Sequence, residues 1–166
     1  GIIDPLNDPF MRFGGYRNTG GGMARGVELS ASLALSESFR LATSYTYTDS
    51  VSHSSTVPGV DFFQRLGVSD HMFSLTMTQR FGKYFDMTFD LFAASDYPLV
   101  FFGANRRLMF DGPFKADLVA AYRFPVGKSR ELRLFSKVEN IFNQKYFENG
   151  FASPGIWAIG GLSFSF

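Results

Sequence analysis

The sequence predicts an all-β chain, an antiparallel sheet of about seven long strands that forms part of the wall of a transmembrane β-barrel, and three observations predict it. Apolar residues recur at every second position from Val27 to Phe166, which is the period of a strand and not of a helix. The alternating segments run to about ten residues, whereas strands of soluble proteins average roughly five or six and about nine to eleven tilted residues cross a bilayer. Short and long connections alternate along the chain, which puts turns at one end of the sheet and loops at the other.

The first segment sets Val27, Leu29, Ala31, Leu33 and Leu35 against Glu28, Ser30, Ser32 and Ala34. The second sets Phe39, Leu41, Thr43, Tyr45 and Tyr47 against Arg40, Ala42, Ser44, Thr46 and Thr48. In the third, Phe73, Leu75, Met77 and Phe81 oppose Ser74, Thr76, Thr78 and Arg80, with Gln79 the polar break in the apolar face. The fourth alternates Phe85, Met87, Phe89, Leu91 and Ala93 with Asp86, Thr88, Asp90 and the exception Phe92. The fifth opposes Ala116, Leu118, Ala120, Tyr122 and Phe124 to Lys115, Asp117, Val119, Ala121 and Arg123. The sixth carries Leu132, Leu134, Ser136 and Val138 against Arg133, Phe135, Lys137 and Glu139, and the seventh Ala158, Gly160, Leu162, Phe164 and Phe166 against Trp157, Ile159, Gly161, Ser163 and Ser165. Short connections fall at Ser36 to Ser38, Gly82-Lys83 and Pro125 to Arg130; long ones run from Asp49 to Asp70, Ser95 to Pro113 and Asn140 to Ile156.

Composition narrows the function classes. A chain of 166 residues is the length of one ordinary domain. With 19 % charged residues and no unbroken apolar run of about 18, it offers no spanning helix. A net charge of +1, with basic residues scattered along the chain, gives no basic stripe for nucleic acid. The absence of cysteine excludes disulfides and thiolate metal sites. Twenty-one Phe and seven Tyr beside one Trp are more aromatic surface than a small soluble domain uses, and a lipid-facing wall accommodates them. The opening stretch Gly1 to Pro9 lacks the basic start and apolar run of a signal peptide, so the chain reads as starting inside a loop, after a removed signal or partway through a longer polypeptide. A soluble up-and-down barrel shares the period but turns its apolar face inward. The Ser- and Thr-rich opposite face, poor in Lys and Glu, resembles a lumen more than a solvated exterior.

The end of the chain carries a resemblance. Leu162, Phe164 and the terminal Phe166 resemble the carboxy-terminal signal that the barrel assembly machinery reads in outer-membrane proteins. The run Val138 to Tyr146, with Asn140, Phe142 and Tyr146, followed by Pro154-Gly155 and a last strand, is similar to the penultimate-strand signature of TonB-dependent outer-membrane transporters. Tyr16 to Gly20 leading to Arg25-Gly26-Val27-Glu28-Leu29 is similar to that family's Asn-x-Gly and Gly-apolar-Glu approach to a strand, and Ser44 to Asp49 fits the strand that follows. Ile156-Trp157 departs from the family, where Arg often follows Pro-Gly.

The resemblance implies a 22-stranded barrel of the Gram-negative outer membrane, its long loops extracellular, surrounded by lipid and lipopolysaccharide. It implies import of a scarce nutrient of the siderophore-iron, vitamin or glycan class, energised by a TonB-type coupler through an amino-terminal plug. Plug and coupling box have no counterpart in these residues, so the chain is expected to be the last third of the barrel, residues 1–166 forming one wall segment. An odd number of antiparallel strands cannot close on itself. Unless Met11 to Tyr16 adds an eighth, the remaining strands and the plug come from the same polypeptide or a partner chain. The alternative is a small self-standing outer-membrane barrel with a structural or adhesive role through its loops.

No enzyme, cofactor or metal is expected. His53 and His71, the latter beside Asp70, have no third ligand or nucleophile arranged around them in sequence. Glu28, Arg40, Asp86, Asp90, Lys115, Asp117, Arg123, Arg133, Lys137 and Glu139 share the polar face and are expected to pair between strands as ladders. Arg106-Arg107 after Phe101-Phe102-Gly103 reads as solvated loop charge with a secondary reading as a site for an anion or lipopolysaccharide. Gly20-Gly21-Gly22 reads as loop, lacking the strand before and the Lys-Ser/Thr after that a phosphate loop needs.

Overall fold

Each alternating segment becomes a strand in the computed structural model, which describes residues 21–53, 62–64, 66–100, 107–148 and 150–166, the side chains at 53, 62–64 and 100 excepted. The strands are β1 (Gly22–Ala34), β2 (Phe39–His53), β3 (Phe62–Gln64), β4 (His71–Phe81), β5 (Phe85–Ala94), β6 (Tyr97–Val100), β7 (Arg107–Phe110), β8 (Phe114–Val126), β9 (Arg130–Glu139), β10 (Phe147–Glu148), β11 (Phe151–Ala152) and β12 (Trp157–Ser165). Seven of them form one antiparallel sheet in the order β1-β2-β4-β5-β8-β9-β12, with β3 alongside the far end of β2. Among the described residues the sheet is open: β1 and β12 are its edges, and no closed barrel is formed. β6 with β7 and β10 with β11 make separate two-stranded ribbons inside the long connections.

Register keeps the two faces apart from one edge to the other. Leu29 pairs with Tyr45, Tyr45 with Phe73 and Phe73 with Ala93. Phe85 pairs with Tyr122, Tyr122 with Leu134 and Leu134 with Leu162. Side chains alternate across a strand, so these rows place all seven apolar sets on one face and the Ser, Thr and charged sets on the other. On the polar face, cross-strand hydroxyls tie neighbours: Ser44 to Ser74 at 2.7 Å, and Thr76, which donates to Asp90 at 2.6 Å.

Several boundaries differ from the sequence reading. β1 begins at Gly22 and β2 runs to His53, so the glycine run ends inside a strand and the first hairpin extends past its apolar stretch. The stretch Tyr16 to Gly20 and the candidate eighth strand at Met11 to Tyr16 lie outside the described residues. Pro125, assigned to a turn by sequence, continues β8 opposite Glu131. The Arg123 amide bonds the Tyr84 carbonyl on the β5 side. Amides two residues apart point the same way, so Pro125 faces a position beyond the start of β5, where no ladder bond is lost. The turn is Gly127 to Ser129, with Gly127 at φ 74°.

Nothing among the described residues covers the apolar face. Leu29 is 62 % exposed and Leu162 70 %, and the buried apolar residues reduce to Tyr97, Pro98, Ala116, Ala121 and Tyr146. This is a single layer without the internal core of a soluble sandwich or lipocalin-like barrel.

Gly112, between β7 and β8, donates its amide to Asp96 Oδ1 at 2.9 Å. A Cβ there meets the backbone of Ala94 and Ser95, 2.6 Å from the Ser95 carbonyl carbon, whereas a Cβ at Gly21 meets nothing. Gly112→Ala is therefore expected to lower stability by about 1–3 kcal/mol through overpacking against backbone, and Gly21→Ala to leave it unchanged. Urea midpoints of the two variants in detergent check this; equal midpoints contradict the close approach.

Candidate functional site

Three features of the sheet are candidates for function: the aromatic rows on its apolar face, the bonded loops at its long-loop end, and the charges of its polar face. Near the short turns, rings gather on the apolar face. Phe81 and Phe85 lie 5.4 Å apart, Tyr84 and Tyr122 6.3 Å, Tyr122 and Phe124 4.5 Å. At the long-loop end a second group consists of Tyr45 and Tyr47 around His71, and of Phe114 stacked on Phe142 at 5.4 Å. Eight residues separate Phe39 from Tyr47 and Phe114 from Tyr122; at about 3.3 Å per residue the two bands stand roughly 26 Å apart along the strands. Between them the face is mostly Leu, Met, Ala, Val and Phe, broken by Thr43, Gln79, Ser136 and Gly160. Just beyond Tyr47 and its partner Val27, it is interrupted by an ion pair, Arg25 Nη2 to Asp49 Oδ2 at 2.8 Å, past which Met23 pairs with Val51. Leu162 and Phe164 lie on this face, Phe164 6.3 Å from the ring of Phe166, and Phe166 follows the end of β12 with its side chain exposed.

The motif around Asn140 closes a latch. Asn140, 3 % exposed and at φ 51°, donates through Nδ2 to the carbonyls of Gln144 at 2.9 Å and Pro154 at 3.1 Å. Its Oδ1 accepts the Gln144 amide at 3.0 Å, and its own amide donates to Asp117 Oδ1 at 2.9 Å. Asn143 Oδ1 accepts the Ile156 amide at 3.0 Å, an approach open because residue 155 is glycine: a Cβ there stands 2.7 Å from that oxygen. Tyr146 is buried, its amide bonded to Ser153 Oγ, and burial pushes its phenol above the ordinary range. Asn140, Tyr146, Pro154 and Gly155 thus meet in one loop, with Phe142 packed on Phe114 at its side.

The sequence did not anticipate how this loop joins the others. Tyr97 Oη donates to the Phe147 carbonyl at 2.7 Å, Phe110 stacks on Tyr97 and meets Phe147 edge-on, and the Gly67 amide bonds the Pro98 carbonyl at 2.7 Å. The aromatic content of the long connections was the available signal.

On the polar face the expected ladders are mostly absent. Lys115 pairs with Asp117 and Lys137 with Glu139 along their own strands; Arg123 with Asp86 is the cross-strand ion pair of this face among the described residues. Like charges stand directly opposite twice, Asp90 with Asp117 and Arg123 with Arg133, and such pairs are unfavourable. Arg133 lies over the Phe135 ring at 5.3 Å, and that ring lies over Gly161. Near the short turns Arg40, Arg80 and Arg123 line a 230 Å³ cleft with Glu37 and Asp86. A larger hollow, 730 Å³, lies over Ala120, Ser136 and Gly160, a row of small residues of the apolar set beside the row of Tyr122, Leu134 and Leu162.

His71 Nδ1 is 2.8 Å from Tyr45 Oη, and its ring sits among aromatics, away from the charged rows of the polar face. Asp70 is bonded to Thr48 through its backbone carbonyl. The side chain of His53, and Phe101 to Arg106, lie outside the described residues; Arg107 is exposed at the start of β7. Among the described residues no three His, Asp or Glu come together as a metal site. No protein-family model matches the chain, and no curated protein matches it.

Asn140→Ala removes three side-chain hydrogen bonds and leaves two carbonyls and an amide without partners, a loss of about 2–4 kcal/mol at roughly 1 kcal/mol each. Amide exchange at Gln144 is expected to accelerate at least about tenfold, the equivalent of about 1.4 kcal/mol, while exchange at Thr76 in mid-sheet stays as in the parent. Unchanged protection at Gln144 contradicts the latch.

Proposed function

We propose that the chain is a wall segment of an outer-membrane β-barrel belonging to a TonB-dependent transporter, which imports a scarce nutrient of the siderophore-iron, vitamin or glycan class. The observation that carries the membrane part is the uncovered apolar face of a single-layer sheet, bounded by aromatic bands roughly 26 Å apart along the strands. Water tolerates such a face poorly, because each fully exposed Leu or Phe forgoes about 1.5–3 kcal/mol of burial. Hydrocarbon accepts it and needs no second layer. The ion pair Arg25–Asp49 past Tyr47 is where such a face would meet headgroups.

The open edges support the larger barrel. Among the described residues, backbone groups along β1 and β12 have no strand partner on one side, and lipid offers them none, at several kcal/mol for each unsatisfied group. Other strands, from the same polypeptide or a partner chain, meet that requirement. The plug and the TonB-type coupler belong to that remainder. The transporter assignment itself rests on the signature Asn140, Phe142, Tyr146, Pro154 and Gly155, and on Leu162, Phe164 and Phe166 for recognition by the assembly machinery. In this reading the polar face lines the lumen, and the three bonded loops face the outside of the cell, in contact with lipopolysaccharide and arriving nutrient.

Leu29→Arg, in the middle of the apolar face, is expected to lower folding yield into phospholipid vesicles by the equivalent of about 2–4 kcal/mol, and Ser30→Arg, one residue on and facing the lumen, to leave it within about twofold. Equal losses at both positions reject the orientation. Fractionation adds a second check: recovery with outer membranes after an alkaline wash supports the barrel, and recovery in the soluble fraction rejects it. The gene then separates transporter from small adhesive barrel, since an open reading frame encoding a plug upstream of Gly1 supports the first and a signal peptide immediately before it the second.

A further inference from the structure

We propose that the cleft between β2, β4 and β8 on the polar face binds a carboxylate group, held by Arg40, Arg80 and Arg123. These arginines fall on three successive rows near the short turns: Arg40 opposite Thr78, Arg80 two residues on and opposite Asp86, and Arg123 two residues past Ala121, the other register partner of Asp86. The cleft they share is 230 Å³, room for a small planar anion.

Charge and hydrogen-bond satisfaction point to the occupant. Arg123 is paired with Asp86, yet its Nε is buried and has no hydrogen-bond partner among the described residues. The guanidinium groups of Arg40 and Arg80 have neither ion pair nor hydrogen bond among the described residues, although Arg80 is the direct register partner of Asp86. The lining carries three guanidinium charges against Glu37 and Asp86, a surplus of one positive charge. One carboxylate neutralises it; a phosphate dianion overshoots it. A guanidinium presents paired N–H donors that match the two oxygens of a carboxylate, and a cleft walled by sheet backbone weakens competition from water. Ser38 and Thr78 add hydroxyl donors at the rim. Crowding of Arg123 against Arg133 across the strand pair, unfavourable in the empty sheet, is relieved when an anion sits beside it.

The inference needs the polar face and not the membrane, so it stands or falls separately from the transport reading. The test uses the polypeptide extracted in detergent in the assembly it occupies, labelled with nitrogen-15 arginine. The Arg123 Nε–H resonance, assigned by its loss in Arg123→Lys, is followed while two probes are added at constant ionic strength. One is sodium acetate; the other is a blocked peptide, acetyl-Gly-Gly-Glu-Gly-Gly-amide. A saturable shift is expected, with affinity falling at least tenfold in Arg80→Gln and in Arg40→Gln and unchanged in Arg25→Gln, whose side chain is engaged by Asp49. Saturation with acetate identifies free small carboxylates as sufficient, and saturation with the peptide alone identifies an acidic side chain of a polypeptide; both support the site. Shifts that stay linear with both probes, or that sodium chloride reproduces, overturn it, and the parent titration alone decides this even if a variant does not fold.

Discussion

A strand repeats every two residues, and in this sheet every register respects that parity from β1 to β12. A slip of one residue at any of the six junctions would turn a complete apolar set onto the polar face. At β4 it would bring Ser74, Thr76 and Thr78 into the rows of Leu41 and Leu91 and drive Leu75 and Met77 among hydroxyls. Such a constraint is collective, because each strand is fixed on both sides by neighbours with the same alternation. The short turns reinforce it. The Arg80 amide bonds the Ser38 carbonyl and the Arg123 amide that of Tyr84, so turn residues of one hairpin are tied to the neighbouring strand.

Everything functional in the sheet inherits that parity. The aromatic rows coincide on adjacent strands because Phe81, Phe85, Tyr122 and Phe124 have one orientation and heights fixed by the turns. On the opposite face the same rule gathers arginines from β2, β4 and β8 around one cleft near the short turns and sets Asp90 of β5 opposite Asp117 of β8 farther along the strands.

The strands were legible because the period of side-chain orientation is written into the residues, and their ends less so. Val27 reads as the start of the first strand since apolar residues begin there, but pairing continues to Gly22 through Arg25 and Asp49, where an ion pair substitutes for apolar contact. Pro125 reads as a breaker because proline lacks an amide, and only the position of β5 reveals that no partner awaited that amide. Ladders were expected from the list of charges, yet Lys115 and Lys137 reach carboxylates two residues along their own strands, a choice of rotamer that sequence does not display. Asn140 stood out in the sequence for its resemblance, not for its bonds. Its role as a fully bonded, left-handed hinge depends on Gln144 and Pro154, four and fourteen residues away, coming back to one side chain.

The three long connections hold one another: residue 67 is bonded to residue 98, Tyr97 to residue 147, and Phe110 packs between Tyr97 and Phe147. Surface loops usually diversify one at a time, because each is anchored only by its own strands. Here the middle loop replaced alone abandons partners on both others, and the third replaced alone leaves Tyr97 without an acceptor for its hydroxyl. Inheritance is therefore linked: new loop surfaces arise by exchanging the three long connections together, or by changing tips that carry none of these contacts, such as the neighbourhood of Phe151.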